Sequence, residues 1–159
     1  MTTNMATHRI LFVCLGNICR SPMAEGVFSH VAAQAGHGEK FIIESAGTGA
    51  WHIGNPPDPR AVAAAGRRDI DLSHQRARQV HSDDFEAFDL VIAMDSSNHA
   101  NLLRMAPEAH AHKIQLFLDH LPDASGREVP DPYYGGDEGF EEVLDLIEAA
   151  SRALLARLT

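Results

Sequence analysis

Cys14 and Arg20 enclose five residues, Leu15, Gly16, Asn17, Ile18 and Cys19, and Ser21-Pro22 follow at once. A thiol and a guanidinium at this spacing are the parts of a nucleophilic site for an anion. One turn of loop can wrap a phosphoryl-sized group between a sulfur that attacks and a planar fork that grips two oxygens, which a lysine cannot do. The loop lies between an apolar run and a Ser-Pro helix start. A helix N-terminus offers free N–H groups and partial positive charge, and loop N–H groups that curl inward form an anion nest. Gly16 relaxes the steric limits on that curl, and Asn17 tolerates a left-handed conformation better than most residues. The same field stabilises a thiolate at position 14, to which Ser21 can donate a hydrogen bond. The competing reading makes Cys14 a buried core cysteine at a strand end.

Other polar residues are less specific on their own. Asp131 stands between Pro130 and Pro132, in a stiff loop able to hold one carboxylate in place; the same pattern also describes a plain turn. Asn17, Ser45 and His74 lie in three separate segments and read equally as three unrelated surface or capping residues. Trp51, Tyr133 and Tyr134 sit in Gly- and Pro-rich stretches without periodicity, so exposure is expected. Two cysteines, both in the loop, favour reactivity over a disulfide scaffold. The ten histidines are scattered, which argues against a zinc site with its tight ligand spacing; no metal and no cofactor is expected.

These residues must be positioned by alternating short apolar runs and longer helical ones. Arg9–Val13, Phe41–Glu44, Leu90–Met94 and, more weakly, Ile114–Leu118 read as strands. Ser21 to Ala35 reads as a helix with Ser21 as N-cap, Pro22 in its first position and Gly36 at its end. Asp58-Pro59 opens a short Ala-rich helix ending near Gly66. Ser96 or Ser97 caps a helix that Pro107 limits. In the last helix Phe140, Val143, Leu144, Ile147, Leu154, Leu155 and Leu158 share one face. Asp137 and Glu138 at its start and Arg152 and Arg157 near its end suit the helix dipole. Strands alternating with helices predict a parallel sheet covered on both faces, with ligands bound beyond the carboxyl ends of the strands. The loop after the first strand is therefore where chemistry is expected.

The chain has 159 residues and a net charge of −9, which suits one domain and gives no basic run for nucleic acid. Neither a basic membrane-binding helix nor a spanning segment is evident. A cytoplasmic protein is expected, with residues 1–8 as a flexible tail and 9–159 as the domain.

The stretch Val13-Cys14-Leu15-Gly16-Asn17-Ile18-Cys19-Arg20-Ser21-Pro22-Met23-Ala24-Glu25 resembles the signature of the low-molecular-weight protein tyrosine phosphatases. So do Glu44-Ser45-Ala46-Gly47-Thr48, Leu72–Gln79, Ala93-Met94-Asp95 and Asp131-Pro132-Tyr133-Tyr134-Gly135-Gly136, in the family's order along nearly the whole chain. The resemblance implies a flavodoxin-like α/β sandwich whose four-stranded parallel sheet has the order 2-1-3-4. It implies hydrolysis of phosphotyrosine in proteins, with Cys14 as nucleophile, residues 15–21 as the phosphate cradle, Arg20 as clamp and Asp131 as acid and then base. It makes Trp51, Tyr133 and Tyr134 the walls of a deep cleft, and Asn17, Ser45, His74 and Asp95 a supporting network. Oxyanions such as phosphate or vanadate are the implied inhibitors, and a monomer or weak dimer the implied state. Family members pair the two loop cysteines reversibly, which implies a redox role for Cys14 and Cys19; residue type alone leaves Cys19 as a small buried apolar residue. A thioredoxin-coupled arsenate reductase would need cysteines outside the loop. A phosphoarginine phosphatase would carry Thr at Ile18 and lack the paired tyrosines. A phosphocysteine carrier would not need Asp131, and an inactive binding module would not need all three chemical residues.

Overall fold

Ile10 to Val13 form an unbroken apolar run, and a strand apolar on both sides belongs in the middle of a sheet covered on both faces. Strand β1 (His8–Cys14) takes that place. It pairs in parallel with β2 (Phe41–Gly47) on one side and β3 (Leu90–Ala93) on the other, and β3 pairs with β4 (Ile114–Leu116). The order β2-β1-β3-β4 is the one the resemblance implies. The computed structural model describes residues 7–122, 128–134 and 137–159, apart from the side chains of Tyr134 and Asp137. Most of the expected N-terminal tail, residues 1–6, lies outside that range, and His8 already belongs to β1.

Alternation along β1 sorts its side chains between two cores. Ile10, Phe12 and Cys14 face a core built with α1 (Arg20–Gln34), α2 (Pro59–Gly66) and α5 (Asp137–Leu158). Leu11 and Val13 face the other, built with Phe85 of α3 (Asp84–Ala87) and Leu102 of α4 (Ser96–Met105). Phe12 packs on Phe28 and Phe117 with ring centroids 5.9 and 5.1 Å apart. Each fully buried ring of this kind stabilises the fold by about 1.5–3 kcal/mol.

Two helix starts differ from the sequence reading. α1 begins at Arg20, two residues early, with Cys19 at the cap position and no side chain capping it. Ser21 is thus inside the first turn, and its hydroxyl is free for another partner. α4 is capped by Asp95 and not by Ser96 or Ser97. Asp95 is extended, with φ −144°, and its carboxylate accepts the Asn98 N–H at 2.7 Å. The other ends match expectation. Asp58 caps α2 by accepting the Arg60 N–H at 2.8 Å. α1 closes with the left-handed Gly36, φ +81°. There Gly36 N–H bonds Ala33 and His37 N–H bonds Ala32, at 3.0 and 2.8 Å, the paired bonds of a Schellman end.

β4 is shorter than expected, ending at Leu116, and Phe117–His120 turn into a 3₁₀ helix. Phe117 and Leu118 are both buried in the same core. Consecutive strand residues point to opposite faces, so only a coil of the backbone buries both together. Among the described residues no helix is long and apolar enough to cross a membrane.

Candidate active site

β1 is where the sheet order reverses, since the chain returns to β2 on one side of it and to β3 on the other. A cavity of about 390 Å³ lies at its carboxyl end, the place such sheets offer a ligand. Cys14, Arg20 and Asp131 all line it, with Leu15, Gly16, Ile18 and Cys19 of the loop. Trp51, His52 and Tyr133 form its sides. Trp51 is 72% exposed, Tyr133 39% and Leu15 42%, so these rims are apolar yet open. Tyr134 belongs to a 3₁₀ turn over Pro132–Tyr134, but its side chain lies outside the described residues.

Cys14 is 3% exposed. Its Sγ lies 3.0 Å from Ser21 Oγ and accepts the Asn17 N–H at 3.3 Å. Ser21 Oγ accepts from Asn17 Nδ2 at 2.9 Å, so its own proton is directed to the sulfur or, at 3.4 Å, to the Ala46 carbonyl; the sulfur is nearer. Among the described residues, the backbone N–H groups of Leu15, Gly16, Ile18, Cys19 and Arg20 donate no hydrogen bond. Buried or half-buried donors are normally satisfied. Open donors in the loop that follows the sulfur can receive an anion.

Asn17 holds this shape. Its φ is +58°, a left-handed conformation that costs a non-glycine residue about 1–2 kcal/mol. Three side-chain bonds offset that cost: Nδ2 donates to Ser21 and to Ser45 Oγ at 3.0 Å, and Oδ1 accepts the Arg78 N–H at 2.9 Å. Ser45 continues the chain to Gln75 Oε1 at 3.4 Å, and Gln75 Nε2 donates to the Pro22 carbonyl at 3.0 Å. Gln75, not the adjacent His74, is thus in hydrogen-bond reach of Ser45; His74 is exposed. His74 acts at one remove. Burial raises the Glu25 carboxyl above its ordinary range, while the Ser45 hydroxyl bonded to it and the charge of His74 pull it down.

Arg20 is 3% exposed and anchored by one nitrogen. Its Nη1 donates to Asp95 Oδ2 at 2.7 Å and to the Val129 carbonyl at 3.0 Å. Asp95 therefore uses one oxygen to cap α4 and the other to fix Arg20. Burial opposes the charge on Arg20, but Cys14, Asp95 and Asp131 outweigh it and hold the guanidinium above its ordinary value. Nη2 faces Asp131, 3.7 Å from Oδ2. Asp131 in turn accepts the Tyr133 N–H at 3.0 Å on Oδ1, an Asx turn that sets its direction.

Several contributors carry no catalytic signal in the sequence. Arg60 donates to the Tyr133 carbonyl at 2.9 Å and pairs with Asp58 at 3.0 Å. Its guanidinium lies 5.5 Å from the Tyr133 ring centroid and 4.9 Å from that of Phe140, tying the acid loop to α2 and α5. Gly47 lets the end of β2 run against the loop, where a Cβ would fall 2.7 Å from the Leu15 carbonyl oxygen. Just beyond it, Thr48 and Gly49 N–H groups bond the Cys14 and Leu15 carbonyls, each at 2.9 Å. His52 lines the cavity and lies against Gly16, with Cδ2 3.0 Å from where a Cβ would stand.

Both cysteines are free thiols. Burial, then the charge of Asp58, pushes the Cys19 thiol far above its usual range. No cluster of metal-binding side chains occurs among the described residues.

Residues 9–159 match the model of a family described as low molecular weight phosphotyrosine protein phosphatase. A low molecular weight protein-tyrosine-phosphatase of Streptomyces coelicolor is 48% identical, covering 94% of this chain and 93% of its own. A crystal structure of a protein tyrosine phosphatase from Entamoeba histolytica, with Hepes in the active site, superposes with a TM-score of 0.92 at 41% identity, over 96% of this chain and 97% of that one. Vibrio vulnificus Wzb in complex with benzylphosphonate is similar at a TM-score of 0.83 and 30% identity, over 94% and 98% of the two chains. With Cys14, Arg20 and Asp131 gathered on one cavity, these likenesses make this chain a member of the low molecular weight phosphotyrosine protein phosphatase family.

Proposed function

We propose that this protein hydrolyses phosphotyrosine in proteins, and aryl phosphomonoesters generally, through a cysteinyl-phosphate intermediate. The carrying observation is a buried sulfur ringed by open backbone donors, with Arg20 and Asp131 on the same cavity. Cys14 Sγ attacks phosphorus while the bond to the tyrosyl oxygen breaks. Asp131 gives its proton to that oxygen, since phenol departs more readily than phenolate. Nη2 of Arg20 and the loop N–H groups hold the non-bridging oxygens, where charge is spread in the transition state. In the second step a water gives its proton to Asp131 and attacks phosphorus; the S–P bond breaks, and inorganic phosphate leaves. Ser21 donates to the sulfur as it departs.

Tyrosine follows from the cavity walls. Trp51 and Tyr133 flank a slot with the nucleophile at its base, which suits a planar ring and leaves phosphoserine too short to reach the sulfur. The benzylphosphonate bound by the Vibrio relative, a ring joined through a methylene to a phosphate-like group, supports a ligand of ring plus phosphoryl group. Phosphate and vanadate should compete, because the cradle recognises the oxyanion. Cys14 and Cys19 as a redox pair, a cytoplasmic location, the monomeric or weakly dimeric state and residues 9–159 as the working domain are parts of the same reading.

The test is Cys14→Ser. An alcohol there stays protonated and nearly inert, so turnover of p-nitrophenyl phosphate and of phosphotyrosine peptides should fall on the order of 10⁵-fold. Vanadate binding should persist, and acid-quenched wild-type enzyme should carry phosphate on Cys14. Turnover near wild type, or phosphoserine and phosphotyrosine peptides cleaved with equal kcat/KM, would overturn the proposal.

A further inference from the structure

The catalytic cavity shares a wall with a second one. This neighbour, about 330 Å³, is lined by Leu15 and Trp51, which also line the first, and by Gly49, Asn101, Arg104 and Met105. Trp51 is the partition. Its ring lies against Gly49 so closely that a Cβ there would fall 1.9 Å from Cζ3, yet the residue is 72% exposed. A large ring held on a glycine and left open to solvent is available to a ligand on either side. Leu15 and Met105, at 42% and 38% exposure, extend the apolar surface across to the last turn of α4.

Arg104 gives this second cavity its charge. Its guanidinium donates to Asn101 Oδ1 on the preceding turn. Like Arg9, Arg76 and Arg157, its guanidinium meets no carboxylate among the described residues, whereas those of Arg67, Arg68 and Arg78 each do. Among the described residues no acidic side chain lines the cavity. Arg104 lines this cavity beside the apolar Leu15, Trp51 and Met105 and the polar Thr48 and Asn101. Met105 and Leu15 can cover the methylene stem of an acidic side chain while Arg104 takes its head group.

Resting on the phosphotyrosine function above, we propose that this cavity is a substrate subsite. It receives a Glu or Asp close to the phosphotyrosine, and Arg104 determines that preference. In an extended peptide, side chains on the same side are two residues, about 6.6 Å, apart. An acidic residue within two positions of the phosphotyrosine can therefore pass over the Leu15–Trp51 wall while the ring stays in the catalytic cavity.

The experiment is a set of phosphotyrosine peptides carrying Glu, Gln or Lys at each position within two residues of the phosphotyrosine. They are assayed with wild type, Arg104→Ala and Arg104→Glu. Wild type should prefer Glu over Gln at one position by about two- to fivefold in kcat/KM, the range of an exposed ion pair, and less at high salt. Arg104→Ala should erase that preference, and Arg104→Glu should turn it toward Lys. All three should hydrolyse p-nitrophenyl phosphate alike, because it fills only the catalytic cavity, and their melting curves should coincide. If Glu is preferred at no position, or its advantage survives in Arg104→Ala, the subsite is refuted while phosphotyrosine hydrolysis stands. If even the Gln peptides are not turned over, the phosphotyrosine function fails and the subsite fails with it.

Discussion

The two loops that meet at the cavity are held in opposite ways. The loop from Cys14 to Ser21 is buried at its functional atoms and tied to several segments, through Asn17 to Ser45 and Arg78 and through Arg20 to Asp95 and Val129. Asp131, in the other loop, is held differently. Its carboxylate is 36% exposed, set by one bond from its own Tyr133 N–H and by Arg20 at 3.7 Å. Arg60 anchors that loop from the side. The difference fits the roles proposed for them. A cradle works by having its donors fixed before charge develops. An acid must meet a leaving group whose position varies with the substrate and must then turn its attention to water. Rigidity serves the first, and a partly solvated side chain serves the second.

Removing the acid breaks the comparison most sharply. Asp131→Ala should slow aryl phosphates with poor leaving groups by about 10²–10⁴-fold and barely affect those with good ones. The fold, whose contacts do not depend on this carboxylate, should be unchanged. The measurement is kcat against leaving-group pKa for both enzymes. A uniform loss would make Asp131 a structural residue of its loop.

On the cradle side the expected change is in stability as well as rate. Asn17→Ala deletes three side-chain bonds and leaves alanine at φ +58°. Buried hydrogen bonds contribute about 1 kcal/mol each, and the left-handed backbone is strained in both proteins, so denaturant unfolding should show a loss of about 3 kcal/mol. Asn17→Gly, which fits the conformation but not the bonds, should recover about 1 kcal/mol of it. If both variants unfold like wild type, the loop is not over-determined and its rigidity has another source.

Glu25 offers a finer probe of the same network. Its carboxyl titrates above the ordinary value near 4.5 because burial disfavours its charge. Between the ordinary and the raised value the folded chain holds a proton that the unfolded chain has lost. Stability therefore falls as pH rises through that window. Glu25→Gln abolishes the effect, so its advantage over wild type in Tm should grow across the window and then level off. A difference that does not vary with pH would mean that Glu25 is not buried against Ser45 as described.

How much of this was legible beforehand divides along the same line. The cradle is local: Cys14 to Pro22 are consecutive, and their types state their chemistry through spacing alone. The sheet was equally legible, because β1 is an unbroken apolar run. Asp131 was not, since an aspartate between prolines is chemically indistinguishable from a turn until something places it beside Arg20, and only the family resemblance did so. Gln75 went unread because one residue decides which side chain faces Ser45, and the helix-free stretch around it has no period to set the phase. Arg60 went unread because cation–π contacts depend on folding distant segments together. Ser21 was misassigned as a cap for a physical reason: the residue type fits both jobs, and the sulfur is the better partner.

The smallest basal effect, and the one that joins the two cysteines, is expected from Cys19→Ser. Cys19 is buried and held as a neutral thiol by burial and by Asp58, so it takes no part in attack and its replacement should leave kcat and KM near wild type. Iodoacetamide at neutral pH should modify Cys14 alone, and phosphate should protect it. Under peroxide the two cysteines should become linked. Peroxide is expected to oxidise the Cys14 sulfur to a sulfenic acid; the Cys19 thiol would then attack that sulfur, an S–S bond forming as the hydroxyl leaves as water with the Cys19 proton. Both residues line one cavity, and a disulfide requires their Cα atoms within about 7 Å, which one turn of loop permits. Without Cys19 the sulfenic acid passes on to sulfinic and sulfonic acids that dithiothreitol does not reduce. Wild type inactivated by peroxide should therefore recover nearly all of its activity in dithiothreitol, and Cys19→Ser should recover little. Mass spectrometry should find a loss of two hydrogens in the first and a gain of two or three oxygens on Cys14 in the second. Equal recovery by both proteins would leave Cys19 as a packing residue of the cradle and nothing more.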